Sequence, residues 1–447
     1  MSTRLKPYPS YKDSGLRWLE RMPEDWQGLP LKRWVATKIT DGPHTTPEFQ
    51  PEGVEFISAE AVQNSRIDFD LRRGFISQAL HEGYCEKCRP VRNDVLLCKS
   101  GATTGKLAIV ETDAEFSIWS PLAVIRADAS RLLPRFLFWS LQSDYIQNQI
   151  RMTWSAGTQP NIAMSALEVL FLSAATHLDE QRAIASFLDR ETGKIDALVA
   201  KKERLIELLQ EKRTALISHA VTQGLNPNAP TRDSGIPWLG RIPEHWGTKR
   251  FKFFASVRNG QVDPEDQSFE EMVLVAPNHI ESGTGRLLST ESAKEQGAIS
   301  GKYFVEAGEI IYSKIRPALN KAVISRAACL CSADMYPIRV SCHLEPRFLL
   351  MCILGDRFVK HMVDESMRVA MPKVNRDDLY NCWFPVPPLN EQRSIVSTLD
   401  AETAKLDALT AKVRTAIGRL QEYRTALISA AVTGQIDVRQ CGAGVAA

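Results

Sequence analysis

Two short stretches of this chain concentrate residue types that hold phosphate and read nucleic-acid bases. Asp94-Val95-Leu96-Leu97 is followed by Lys99, Ser100, Thr103, Thr104 and Lys106. At an offset of 215, without a gap, Glu309-Ile310-Ile311-Tyr312 is followed by Ser313, Lys314, Arg316, Asn320 and Lys321. In each, an apolar run of strand type leads into a turn carrying cations and small donors. That set positions a phosphodiester, and Arg or Asn also pairs bidentately with base edges. A solvated loop whose charges contact nothing specific has the same pattern. Gly101-Ala102-Thr103-Thr104-Gly105-Lys106-Leu107 approaches a nucleotide-binding P-loop, but it is one residue short between its glycines and has Leu107 where the magnesium-binding hydroxyl belongs.

A second pair of segments carries similar groups. Gly157-Thr158-Gln159-Pro160-Asn161 corresponds to Ala370-Met371-Pro372-Lys373-Val374-Asn375, with Arg368 just upstream. Gln159, Asn161 and Asn375 suit adenine, and Arg368 and Lys373 suit guanine or phosphate. Chemistry of other kinds is poorly represented. Val386-Pro387-Pro388-Leu389 lacks the acid or amide and the aromatic residue of an amino-methyltransferase tetrapeptide, so no methyl transfer is expected. Cys85-Glu86-Lys87-Cys88, with His81 nearby, has the spacing of half a zinc site without a second half, and reads as loop and core thiols.

The elements that must position these residues occur twice. Asp13-Ser14-Gly15-Leu16-Arg17-Trp18-Leu19 returns as Asp233-Ser234-Gly235-Ile236-Pro237-Trp238-Leu239, offset by 220, and Arg213-Thr214-Ala215-Leu216-Ile217-Ser218 returns as Arg424-Thr425-Ala426-Leu427-Ile428-Ser429, offset by 211. So long a period makes each copy a domain rather than a single supersecondary repeat. From Asp179 to about Thr222, and from Asn390 to about Thr433, the chain is proline-free and rich in Ala, Leu, Glu, Lys and Arg, which predicts two long helices. Asp179 and Asn390 are the expected N-caps, and Gly224 and Gly434 the expected stops. Ile195, Leu198, Leu205, Leu209 and Leu216 in one, and Leu406, Leu409, Val413, Leu420 and Leu427 in the other, have the spacing of a helix-helix seam. The segments before the helices mix short β runs with turns and helical pieces, giving an α+β class.

Of the 447 residues 44% are hydrophobic and 24% charged, and the formal net charge is +2. Any nucleic-acid binding must therefore come from local patches rather than from a whole-chain field. No membrane span and no secretory h-region is evident, and the nine cysteines are scattered, so a cytoplasmic protein with reduced thiols is expected.

Tyr11-Lys12-Asp13-Ser14-Gly15 with Trp18-Leu19 and Pro23-Glu24-Asp25-Trp26, the Glu-Gln-Arg starts of both helices, and the ending Ala430-Ala431-Val432-Thr433-Gly434-Gln435-Ile436-Asp437 resemble the specificity subunit of type I restriction-modification systems. The resemblance covers nearly the whole chain. It implies two tandem target-recognition domains, 1–178 and 225–389. Each is followed by a spacer helix, 179–224 and 390–434, with a tail at 435–447. The helices pair as an antiparallel, pseudo-two-fold coiled coil. It further implies a non-catalytic chain that reads one half of a bipartite double-stranded DNA target with each domain. Two methyltransferase subunits carrying S-adenosylmethionine and restriction subunits using ATP and Mg²⁺ would dock on it. The loop Asp41-Gly42-Pro43-His44-Thr45-Thr46-Pro47 resembles one common in such domains, which adds His44 and Thr45 to the DNA-facing set; the second copy has Asn259-Gly260-Gln261-Val262-Asp263-Pro264 instead.

Overall fold

The computed structural model describes residues 6–16, 18–154, 160–341, 343–366 and 372–441. It divides into two compact units, Met1–Lys201 with Thr415–Ala447, and Lys202–Arg414.

In the first unit an antiparallel sheet runs in the order Leu107–Ile109, Val95–Cys98, Leu122–Ile125, Thr40–Asp41. Beside it Phe116–Ile118 pairs in parallel with Val54–Ile57, which pairs in turn with Gly74–Ile76. The Val95–Cys98 strand is buried at every position, so its side chains pack on both faces. One face meets the helices Pro134–Gln142 and Asp144–Met152, around the fully buried Trp26, Trp34, Phe136 and Phe138. The second unit repeats this plan. Its sheet order is Ala255–Val257, Met335–Val340, Ile310–Ser313, Ala322–Ile324, with a parallel pair between Leu274–Val275 and Cys329–Cys331. Trp246, Phe251, Phe348, Phe358 and Phe384 fill its core.

The long helices span Leu178–Gln223 and Leu389–Val432, each starting one residue before the expected cap. The carbonyls of His177 and Pro388 already accept first-turn amides, so Asp179 and Asn390 lie inside the first turn. Gly224 and Gly434 follow the helices at φ +75° and +70°, the left-handed stop that glycine permits without a Cβ clash. The starts are anchored by buried glutamines. Gln181 accepts from Leu133 N at 2.8 Å and donates to the carbonyls of Arg131 and Ala175, and Gln392 accepts from Glu345 N at 2.8 Å and donates to Pro387 O.

The seam runs through Thr192, Ile195, Val199, Lys202, Ile206, Leu209, Arg213 and Leu216, and through Thr403, Leu406, Thr410, Val413, Ile417, Leu420, Arg424 and Leu427. The expected seam residues Leu198, Leu205 and Leu409 face outward instead, 43%, 39% and 43% exposed. Leu198-Val199 and Leu205-Ile206 each offer two adjacent apolar residues, so periodicity alone leaves the phase open. The helix ends decide it. Ile184, Leu188 and Thr192 are buried in the first unit, and their spacing continues to Ile195 and Val199. Asp196 accepts from Arg424 at 2.9 Å in the first unit, and Asp407 accepts from Arg213 at 2.9 Å in the second. Advancing from Asp196 to Arg213 means retreating equally from Arg424 to Asp407, the register of an antiparallel pair.

Among the described residues no helix is long and apolar enough to cross a membrane, and no cluster of three or more His, Cys, Asp or Glu could hold a metal ion. His81 is buried with its Nδ1 2.8 Å from Ser117 Oγ, and Cys85 Sγ lies 3.4 Å from its Nε2.

Candidate nucleic-acid interface

Both loop pairs singled out from the sequence converge, and they do so by the same three main-chain contacts in each unit. In the first, Ser100 bridges Asn161, Gly101 N donates to Pro160 O at 3.1 Å, and Ile162 N donates to Lys99 O at 2.8 Å. In the second, Ile315 bridges Lys373, Arg316 N donates to Pro372 O at 3.2 Å, and Val374 N donates to Lys314 O at 2.8 Å. Each loop connects two antiparallel strands, Val95–Cys98 to Leu107–Ile109 and Ile310–Ser313 to Ala322–Ile324. No helix opens at Gly105-Lys106, so the P-loop-like stretch lacks the helix N-terminus that cradles phosphate in such motifs.

The turns need a left-handed backbone at two positions. The first unit supplies Gly101 and Gly105, at φ +92° and +91°; at the same offset of 215 the second supplies Arg316 and Asn320, at +47° and +46°. A side chain in that region costs of order 1–3 kcal/mol. Asn320 compensates by donating from Nδ2 to Leu354 O at 2.9 Å, whereas the exposed Arg316 side chain has no hydrogen-bond or ion-pair partner among the described residues.

The loop lysines differ in the same way. Lys99 is only 8% exposed and its Nζ lies 3.2 Å from Asp41 Oδ2, while Lys87 reaches Asp41 Oδ1 at 2.6 Å. Burial alone would raise the Asp41 carboxyl, and the two lysines outweigh it and hold the group below the usual aspartate range. Lys314, at the equivalent position, has no carboxylate within ion-pair distance among the described residues. Its Nζ sits 5.4 Å from the Tyr336 ring centroid, and burial, with Lys373 next, holds the ammonium below the usual lysine range. Arg376, not foreseen from the sequence, stands 5.7 Å from the same ring and is tied to Asn259 Oδ1.

The other candidates are distributed as follows. Lys106, Asn161, His44, Thr45, Lys373 and Asn375 are exposed, and His44 Nε2 lies 3.3 Å from Asp41 Oδ2. Asn375 caps the helix Arg376–Asn381, its own N–H donating to Asp378 Oδ2 at 3.2 Å. Ser100 and Thr103 are half-buried, and Thr104 Oγ1 is occupied within its own turn by Gly101 O at 2.7 Å. Lys321 Nζ donates to Pro277 O at 2.6 Å, which removes it from the set of free loop cations. Thr158, Gln159 and Arg368 lie outside the described residues.

The Asp41 cluster carries a prediction. Asp41→Asn leaves the buried Lys99 charge without its counter-ion, and loss of one partner of a buried pair costs about 3–5 kcal/mol. Thermal unfolding of the first unit should drop accordingly at neutral pH. The difference from the parent should shrink on acidification, since a depressed carboxylate contributes fully above about pH 4 and loses that contribution as pH falls through its lowered folded value. Equal stability of the two proteins at pH 7 would show that the cluster is not a stabilising pair.

Residues 243–419 match the family model described as type I restriction modification DNA specificity domain. Over 353 residues the chain is 28% identical to the type I restriction enzyme EcoDI specificity subunit of Escherichia coli, covering 76% of this chain and 78% of that one. It is 20% identical to the type I restriction enzyme MjaVIII specificity subunit of Methanocaldococcus jannaschii, covering 96% and 97%. A solved chain, from work on complex assembly and conformational transition of the type I R-M system, superposes with a TM-score of 0.67 at 18% identity, covering 93% of this chain and 99% of that one. With the duplicated α+β units, these matches make residues 243–419 a type I restriction modification DNA specificity domain and the chain as a whole similar in sequence and fold to type I specificity subunits.

Proposed function

We propose that this chain is a non-catalytic DNA-recognition subunit, in which the domains at 1–178 and 225–389 each read one half of a bipartite, asymmetric duplex target. The observation that carries this reading is the convergence, in both units, of two loops bearing exposed Lys, Arg and Asn side chains through identical main-chain contacts. Conserving the scaffold while varying its side chains lets one fold present two specificities.

The spacer helices would set the distance between half-sites and dock two methyltransferase subunits. The outward leucines support a docking role: Leu198 in the first unit, and Leu205, Leu208 and Leu409 in the second, are exposed by about two-fifths or more. Apolar rows on a helix face mark contact surfaces more often than solvent-facing positions. S-adenosylmethionine would then enter with the methyltransferase subunits, and ATP with Mg²⁺ with restriction subunits.

Replacing residues 30–170 by the matching segment of another family member tests the division of labour. The methylated sequence should change in one half and keep the other. A change in both halves at once would end the two-reader proposal.

A further inference from the structure

We propose that the second unit holds the main phosphodiester anchor of this subunit, formed by Lys314, Arg316, Lys373 and Arg376 around Tyr336, and that the equivalent place in the first unit has been discharged. The inference rests on the DNA-recognition reading and adds where the backbone is gripped and how unequally.

Two independent observations converge on it. The first is charge. Lys314, Arg316 and Lys373 stand on the two bridged loops without an ion-paired acidic side chain among the described residues, and Arg376 is hydrogen-bonded to neutral oxygens, Asn259 Oδ1, Arg258 O and the Tyr336 hydroxyl. Burial, then Lys373 and Arg376, weaken the Lys314 ammonium against a partial offset from Asp334, so an incoming anion relieves a built-in cost. In the first unit the matching positions are Lys99, which Asp41 neutralises, and Gly101, Asn161 and Met164, which carry no charge. Among the described residues of these loops, Lys106 is the one free cation.

The second observation is conformational. Arg316 occupies a left-handed position at which the sister loop uses Gly101. The turn therefore works with glycine, and an arginine kept there at a backbone cost with its side chain in solvent is retained for something outside the chain. Guanidinium groups bind phosphate oxygens in a planar fork, the geometry such a protruding residue offers.

The test uses the full chain, with its methyltransferase partners where these copurify, and mixed-sequence duplex DNA of about 40 base pairs titrated over salt. Arg316→Gly should leave the unfolding temperature unchanged or raised, because the turn relaxes, while affinity falls by on the order of tenfold. Combining it with Lys314→Met and Lys373→Met should flatten the slope of log K against log salt by about three units, against about one for Lys106→Met. A Lys106→Met effect equal to that of the triple variant overturns the unequal anchor and leaves DNA recognition standing. A loss on the methylated target sequence with none on mixed duplex also overturns it, since Arg316 would then read bases. If the unaltered chain shows no salt-dependent affinity for any duplex, the recognition reading fails with it.

Discussion

Replacing Gln181 with leucine will lower the unfolding temperature of the first unit by roughly 10–20 °C. The side chain is fully buried and fills three hydrogen-bonding places at once, to Leu133 N, Arg131 O and Ala175 O, each at 2.8 Å. Leucine has a similar volume and packs in the space, so the loss is not a cavity but three main-chain groups, that of Ala175 buried and those of Leu133 and Arg131 part-buried, deprived of a partner. At about 1–2 kcal/mol for each such group, toward the lower end because two of the three bonds are only part-buried, the sum is roughly 3–6 kcal/mol, a large part of the stability of an ordinary domain. Gln392→Leu should do less to the second unit, because that side chain makes two such bonds, to Glu345 N and Pro387 O. Calorimetry of the full chain should resolve which transition moves in each variant. A shift of a degree or two for Gln181→Leu would mean that the helix start is held by its apolar contacts and the glutamine is dispensable.

These glutamines also mark the limit of what the sequence discloses. The repeated Glu-Gln-Arg is visible as a signature of the helix starts, but its physical purpose appears only when Arg131 and Ala175, on either side of the helix start, meet one amide group. The helices themselves are legible to within a residue at each end, since composition and the absence of proline act locally. Their seam is not. Leu198 and Val199 satisfy the heptad equally, and the choice falls to residues far away in sequence that bury Ile184 and Leu188. Nor can a sequence show that Asp41 lies against Lys99, because the Thr40–Asp41 strand reaches that loop through its pairing with Leu122–Ile125. The left-handed turn positions were within reach: setting Gly101 and Gly105 against Arg316 and Asn320 at the 215 offset points to backbone conformations that ordinary residues avoid. Tyr336 and Arg376 gave no such signal, and only the bridged loops bring them into the candidate site.

The unspecified gap of the DNA target should lengthen by about three base pairs when a heptad is added to both long helices at the same level. The antiparallel register fixes that level. Asp196 meets Arg424 and Arg213 meets Asp407, so the point after Ile206 in the first helix faces the point after Val413 in the second. Seven residues keep the three-four alternation of the seam in phase and add roughly 10 Å of helix. Each helix contributes part of its length to each unit, so the added turns lie outside the loops proposed to contact DNA. Both half-sequences should survive unchanged, and genome-wide mapping of methylated sites in cells carrying the variant would read the new gap. The added rise also corresponds to about a third of a DNA turn, so the methyltransferase subunits must tolerate a rotation about the duplex. Adding the heptad to one helix alone is the informative contrast. It leaves two added seam positions without a partner, shifts Arg213 out of reach of Asp407 or Asp196 out of reach of Arg424, and should abolish modification. A double insertion that keeps the original gap would show that the helices hold the subunit together without measuring the DNA.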